Sequence, residues 1–139
     1  MGVWRPNPYK GYNFAKYYDK KPLKGYHKMD KLAHYRQYIQ KVILEYGQMG
    51  QPHGDIKTEF VFDTDGDHYQ LIRVGWRDDH RIYGCFIHMD IINDKIWIQY
   101  NGTEVDFAEE LVALGVPKQD IVLAFHSPYK RQFTEYAVS

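Results

Sequence analysis

Between Ile56 and Tyr100 the chain presents four strand-like segments in succession, separated only by short polar turns, and this run dictates most of what it can fold into. Ile56–Asp63 puts Ile56, Thr58, Phe60 and Phe62 on one side and Lys57, Glu59 and Asp63 on the other, the period-two pattern of a half-buried strand. A turn over Asp63–Asp67 leads into His68–Trp76, and a second turn over Arg77–His80 leads into Arg81–Ile92. Asn93-Asp94 suits a two-residue hairpin turn into Lys95–Tyr100. With that turn tight, Ile91 is expected opposite Ile96, Met89 opposite Ile98 and Ile87 opposite Tyr100, which makes one strongly apolar face for the core.

Helical patterns flank this meander. From Asp30, which can cap a first turn, Leu32, Tyr35, Ile39, Val42 and Tyr46 recur at steps of three and four, a single stripe widened by Ile43. Gly47, with Gly50 and Pro52 beyond it, marks the expected stop. Thr103 and Asp106 resemble a capping box ahead of a short second helix with Phe107, Leu111 and Leu114, ended by Gly115 and Pro117. Ile121–Phe125 is short and apolar throughout, as a buried strand returning to the sheet would be, and Pro128 should end it, leaving Tyr129–Ser139 mostly extended. The expectation is an α+β domain: an antiparallel meander of four to five strands, with an N-terminal helix and a second short helix packed on one face.

At 139 residues and 44% hydrophobic composition the chain suits one folded core. It contains no run of the roughly 20 apolar residues that a membrane-spanning helix needs, and no secretory signal, so a cytoplasmic location is expected. The balance of 18 basic and 18 acidic residues conceals a split. Residues 1–28 hold seven basic residues (Arg5, Lys10, Lys16, Lys20, Lys21, Lys24 and Lys28) against Asp19 alone, a net +6, so the remainder carries −6. Pro6, Pro8, Gly11, Pro22 and Gly25 punctuate this stretch, which is expected to be an irregular extension ahead of a folded domain over 29–139. Its lysines interleave with Trp4, Tyr9, Tyr12, Tyr17 and Tyr18, a composition that can grip a nucleic-acid strand by phosphate attraction and base stacking.

Enzymatic and metal-binding readings find little support in the spacing. Asp63, Asp65 and Asp67 suggest a calcium loop, but the sixth position is His68 where glycine is needed, and the twelfth is Val74 where a glutamate is needed. His68, His88 and His126, with Asp63, Asp67 and Asp90, are where a metal or catalytic site would begin. Ligands must converge at about 2 Å from an ion, however, and nothing in the spacing shows that these do. Cys85, the single cysteine, stands three residues from His88 and so points away from it in a regular strand; on one face with Tyr83, Ile87 and Met89 it reads as a buried, inert thiol. Asp78-Asp79 and Glu109-Glu110 read as solvated surface. No catalytic residue, metal or cofactor is expected.

The other face of the last hairpin places Asp90 opposite Trp97 and His88 opposite Gln99, a polar and aromatic mixture unsuited to a closed core. His88, Asp90, Trp97 and Gln99 are therefore the candidate contact residues, with His68 and Trp76 beside them. Such a face and the sheet edges also suit a homodimer.

A series of motifs in one order gives this chain a family resemblance. They are Phe62-Asp63, Asp67 to Leu71, Val74-Gly75-Trp76, Arg81 to Ile91, Lys95 to Gln99, Asn101 to Glu104, Gly115-Val116-Pro117 and Asp120 to His126, ending near Ala137-Val138-Ser139. From Met29 onward the sequence resembles the XisI family, whose usual pattern does not include residues 1–28. The resemblance implies a small cyanobacterial-type controlling factor that acts with a companion, XisH, so that a recombinase can excise the fdxN element. It supplies no catalytic residues. The implied function is thus non-catalytic, exerted through an XisH-like protein partner on excision or rearrangement of a DNA element. The alternatives are direct nucleic-acid binding through the basic arm, and neutralisation of a nuclease-like partner by the acidic body.

Overall fold

The computed structural model describes residues 28–49 and 54–139 of the chain. Its elements run α1 (Lys28–Met49), β1 (Lys57–Asp63), β2 (His68–Arg77), β3 (His80–Ile92), β4 (Lys95–Asn101), α2 (Phe107–Ala113), β5 (Ile121–Leu123) and a helical turn α3 (Pro128–Arg131). The five strands form one sheet in sequence order. This is the expected α+β architecture with one correction to its topology. β1 to β4 pair antiparallel, whereas β5 pairs with β4 in parallel, Ile96 opposite Ile121 and Ile98 opposite Leu123. The chain reaches β5 by crossing over through α2 and a 3-10 turn at Lys118–Asp120, so it re-enters the sheet in the direction of the strand it left.

The core lies between the sheet and the two helices. The α1 stripe of Tyr35, Ile39, Val42 and Ile43 is at most 2% exposed and meets Tyr69 and Leu71 of β2, Ile87 and Met89 of β3, and Ile96 and Ile98 of β4. Phe107, Ala108 and Leu111 close the cluster from α2. Burying each of the large side chains is worth roughly 1.5–3 kcal/mol, so this stripe holds α1 in place more than its intrinsic helix propensity does. Tyr35 also carries a polar handle into the core: its hydroxyl donates to Asp120 Oδ2, which Lys31 Nζ approaches to 2.8 Å. Burial, and then the hydrogen bond to Asp120, push the Tyr35 hydroxyl far above the ordinary phenol range.

Two glycines have steric roles. α1 runs through Gly47 to Met49, so Gly47 does not end the helix. A Cβ there would lie 2.4 Å from the Phe60 ring of β1, and the missing side chain lets helix and sheet approach. Gly75, in β2, has φ +156°, and a Cβ there would meet the backbone of Asp55 and Ile56, which lead into β1. Only glycine fits where those two backbones cross.

Two terminal features also differ from the sequence-based expectation. Asp106 itself caps α2 by accepting from the Glu109 N–H at 3.0 Å, while the Thr103 hydroxyl donates to Asn101 Oδ1 and accepts from the Val105 N–H. The last residues are not simply extended. Ser127 caps α3, Arg131 donates to the carbonyls of His126 and Ala124, and the chain then returns to the sheet, where the Ala137 N–H donates to Ile121 O at 2.9 Å. Ala137 is buried and forms a bridge with Val122, so the tail covers part of the β5 edge.

Candidate functional site

The face of the sheet turned away from α1 and α2 is set by two breaks in strand register. The turn joining β2 and β3 begins a pairing in which Trp76 faces Arg81 and Ile72 faces Cys85. Continued without interruption, it would bring His68 opposite Met89 and force polar residues into the apolar face. Phe86 is inserted as a bulge, so that Leu71 faces Ile87, Tyr69 faces Met89 and His68 faces Asp90. The second break lies in β4. The Asn93-Asp94 turn, with φ of 51° and 65°, produces the expected pairs Ile91–Ile96, Asp90–Trp97 and Met89–Ile98. Gln99 is then inserted, and His88 faces Tyr100 while Ile87 faces Asn101. The expected pairs His88–Gln99 and Ile87–Tyr100 are therefore corrected, and Tyr100, placed in the core by the simpler register, is 50% exposed.

These shifts build two rows across the outer face: Asp63, His68, Asp90 and Trp97 in one, and Val61, Gln70, His88 and Tyr100 in the next. Asp90 sits at their centre. It is 7% exposed, the one charged residue in the buried class among the described residues. His68 Nδ1 lies 2.8 Å and His88 Nε2 2.9 Å from the same oxygen, Asp90 Oδ1. The Gln99 amide donates to the other oxygen, Oδ2, at 3.1 Å. The bulge that moves Gln99 out of its expected pairing is what lets it serve the carboxylate. The hydrogen bond to Asp90, and then its charge, hold the His68 imidazole above its usual value of 6.5. A raised folded-state value means that this contact contributes fully below pH 6.5 and fades as pH rises through the higher value.

Four of the six contact residues inferred from sequence, His68, His88, Asp90 and Gln99, thus form one hydrogen-bonded cluster. Trp97 adjoins it: the ring is half-buried, its N–H donates to Ile92 O at 3.2 Å, and the Arg131 guanidinium lies 5.4 Å from its centroid. Trp76 does not join them. It stands about 26 Å further along β2, eight residues on, stacked with Arg81 at 5.3 Å. His126 also lies apart, its ring 4.6 Å from that of Phe125. The arm residues Arg5, Lys10, Lys16, Lys20, Lys21 and Lys24 fall outside the described residues.

Of the remaining candidates, the aspartates near the first turn serve the fold. Asp63 Oδ1 accepts from the N–H groups of Asp65 and Gly66, and the latter bond chiefly holds its carboxyl below the usual range. Asp67 receives Arg36 in a two-pronged contact of 2.8 and 3.1 Å, which ties this turn to α1. Cys85 is half-buried, not buried. The Phe86 bulge also places it in phase with His88, because their partners Ile72 and Gln70 are two residues apart on β2. The argument from strand alternation therefore fails for this pair, but the Cys85 thiol donates to Ile87 O and His88 is committed to Asp90. Burial pushes the thiol upward, away from nucleophilic chemistry.

The XisI family model, described as "XisI protein", matches residues 29–138. Among solved structures, a XisI-like protein from Anabaena variabilis ATCC 29413 is 44% identical, with a TM-score of 0.74, 78% of this chain covered and 99% of that one. The fdxN element excision controlling factor XisI from the same organism is 34% identical, with a TM-score of 0.71 and coverage of 79% and 100%. No curated protein matches the chain.

Proposed function

The chain belongs to the XisI family, and from that premise we propose that it is a non-catalytic controlling factor in excision or rearrangement of a DNA element, acting by docking the outer face of its sheet on an XisH-like protein. What carries this reading is the face itself. Neither α1 nor α2 covers it, and it combines the exposed Val61, Tyr83 and Tyr100 with the half-buried Trp97 and the polar cluster around Asp90. Aromatic side chains set among fixed hydrogen-bonding groups suit a protein interface, where such anchors hold most of the binding energy. The net −6 of residues 29–139 supports an indirect route to DNA, since duplex phosphates favour basic surfaces.

Co-expression with an XisH-like protein followed by size-exclusion chromatography tests the proposal. Co-elution is expected, with Trp97→Ala and Tyr100→Ala each weakening the complex at least tenfold, while Glu45→Ala on the exposed side of α1 leaves it intact. Separate elution of the two proteins would refute it, as would equal binding by all the variants.

A further inference from the structure

We propose that His68, His88 and Asp90 bind one first-row divalent transition-metal ion, such as Zn²⁺, through His68 Nδ1, His88 Nε2 and Asp90 Oδ1. The three donor atoms lie within 4.8 Å of one another. A tetrahedral zinc ion about 2.0–2.2 Å from each would hold them roughly 3.3–3.5 Å apart. The hydrogen-bonded distances of 2.8 and 2.9 Å need widen by roughly half an ångström to reach that spacing. Rotation of two imidazoles about their side-chain bonds supplies such a change without moving the strands.

The charge arrangement favours an ion. Asp90 is buried, and among the described residues no Lys or Arg pairs with it; its partners are two imidazoles and an amide. A buried carboxylate calls for a cation, and none of these three partners carries a fixed positive charge. A divalent ion would supply that charge and use the imidazole lone pairs, with each ring turning its N–H to the nitrogen away from the ion.

The support around the donors is of the kind metal sites have. Asp90 and His88 belong to β3, in the middle of the sheet, and His68 stands directly opposite Asp90 on β2. The Gln99 amide fixes the second carboxylate oxygen from β4, an outer contact that orients a ligand. Mixed nitrogen and oxygen donors select zinc, cobalt or nickel over calcium and magnesium, which prefer oxygen throughout. The His68 side chain is 60% exposed, which gives an ion a route in and leaves coordination positions open toward solvent. The inference is independent of the proposed partner, since it concerns the isolated chain.

The test uses the full chain without a polyhistidine tag, dialysed against chelator and then against buffer. Isothermal titration with ZnCl₂ should give one ion per chain, and CoCl₂ should give visible d–d absorption. His68→Ala and His88→Ala should each weaken binding at least tenfold, Asp90→Asn should do the same, and His126→Ala should leave it unchanged. His68→Ala removes an exposed side chain, so its loss of binding can be read on a folded protein, checked by circular dichroism. Absence of zinc heat and cobalt absorption from the unsubstituted chain would overturn the proposal. Zinc affinity unchanged in both His68→Ala and His88→Ala would overturn it equally, by assigning the binding to other histidines.

Discussion

Replacing Gly75 with alanine should be among the most damaging single-atom additions in the sheet. The new Cβ would lie 2.0 Å from Asp55 O, 2.6 Å from Ile56 Cα and 2.8 Å from Asp55 C, all of them backbone atoms that no rotamer change can withdraw. Relief requires displacing the segment that seats Ile56, itself 7% exposed, in the core. Overpacking of this kind costs about 1–3 kcal/mol. Holding alanine at φ +156° adds a backbone cost of about 1–3 kcal/mol. Together they come to about 2–6 kcal/mol, a fall in midpoint temperature of roughly 8–24 °C for a domain of this size. Urea unfolding followed by tryptophan fluorescence and by far-ultraviolet circular dichroism measures the change. Gly84→Ala is the matched control: its Cβ would meet only the Phe86 ring at 4.0 Å, so the change should stay within about 0.5 kcal/mol. A Gly75→Ala protein as stable as the parent, or a Gly84→Ala protein equally damaged, would refute the steric argument.

Further outcomes are expected at other sites. Tyr35→Phe removes the buried donor to Asp120 and should cost about 1–2 kcal/mol in urea unfolding with an unchanged denaturant slope. The upward push that burial gives the Cys85 thiol should make its alkylation by iodoacetamide at pH 8 at least tenfold slower in the native protein than in urea, read by mass spectrometry. Asp63 is held below its ordinary 3.8 by the Gly66 and Asp65 N–H groups, so its contribution to stability is complete above that value and is lost as pH falls through the lower folded value. Asp63→Asn should abolish that part of the acid-induced loss, and acid unfolding curves of the two proteins that superimpose would count against the turn geometry.

Much of the meander is legible in residue order because turns and alternation are local. Asn93-Asp94 adopts the paired positive φ of a tight hairpin, and the four nearest cross-strand pairs follow from it. Beyond Met89 the extrapolation fails, since nothing in Ile98-Gln99-Tyr100 announces an inserted residue. In β2 and β3 a signal was present. A two-residue turn over Asp78-Asp79 sets Gln70 opposite Ile87, whereas burying Tyr69 and Leu71 with Ile87 and Met89 demands a slip of one residue. That conflict between turn register and apolar phase can be resolved only by a bulge, and resolving it brings His68 onto Asp90. The direction of β5 was not legible, because its apolar run is the same read either way and the crossover depends on where α2 docks. The contact residues were individually visible as polar groups on an otherwise apolar hairpin. Their convergence on one carboxylate oxygen was not, since it joins positions 22 residues apart through a distant irregularity.

The two margins of the sheet are unequal. At β5 the returning tail, through Ala137, bridges to Val122 and occupies the Ile121 carbonyl. At β1, which among the described residues pairs only with β2, the exposed positions carry Lys57, Glu59, Val61 and Asp63. Charged side chains on an edge strand deter indiscriminate stacking of one molecule on the next. Among the described residues the β1 side is thus the more open margin, and a strand that extends the sheet there by augmentation must answer that pattern of charge.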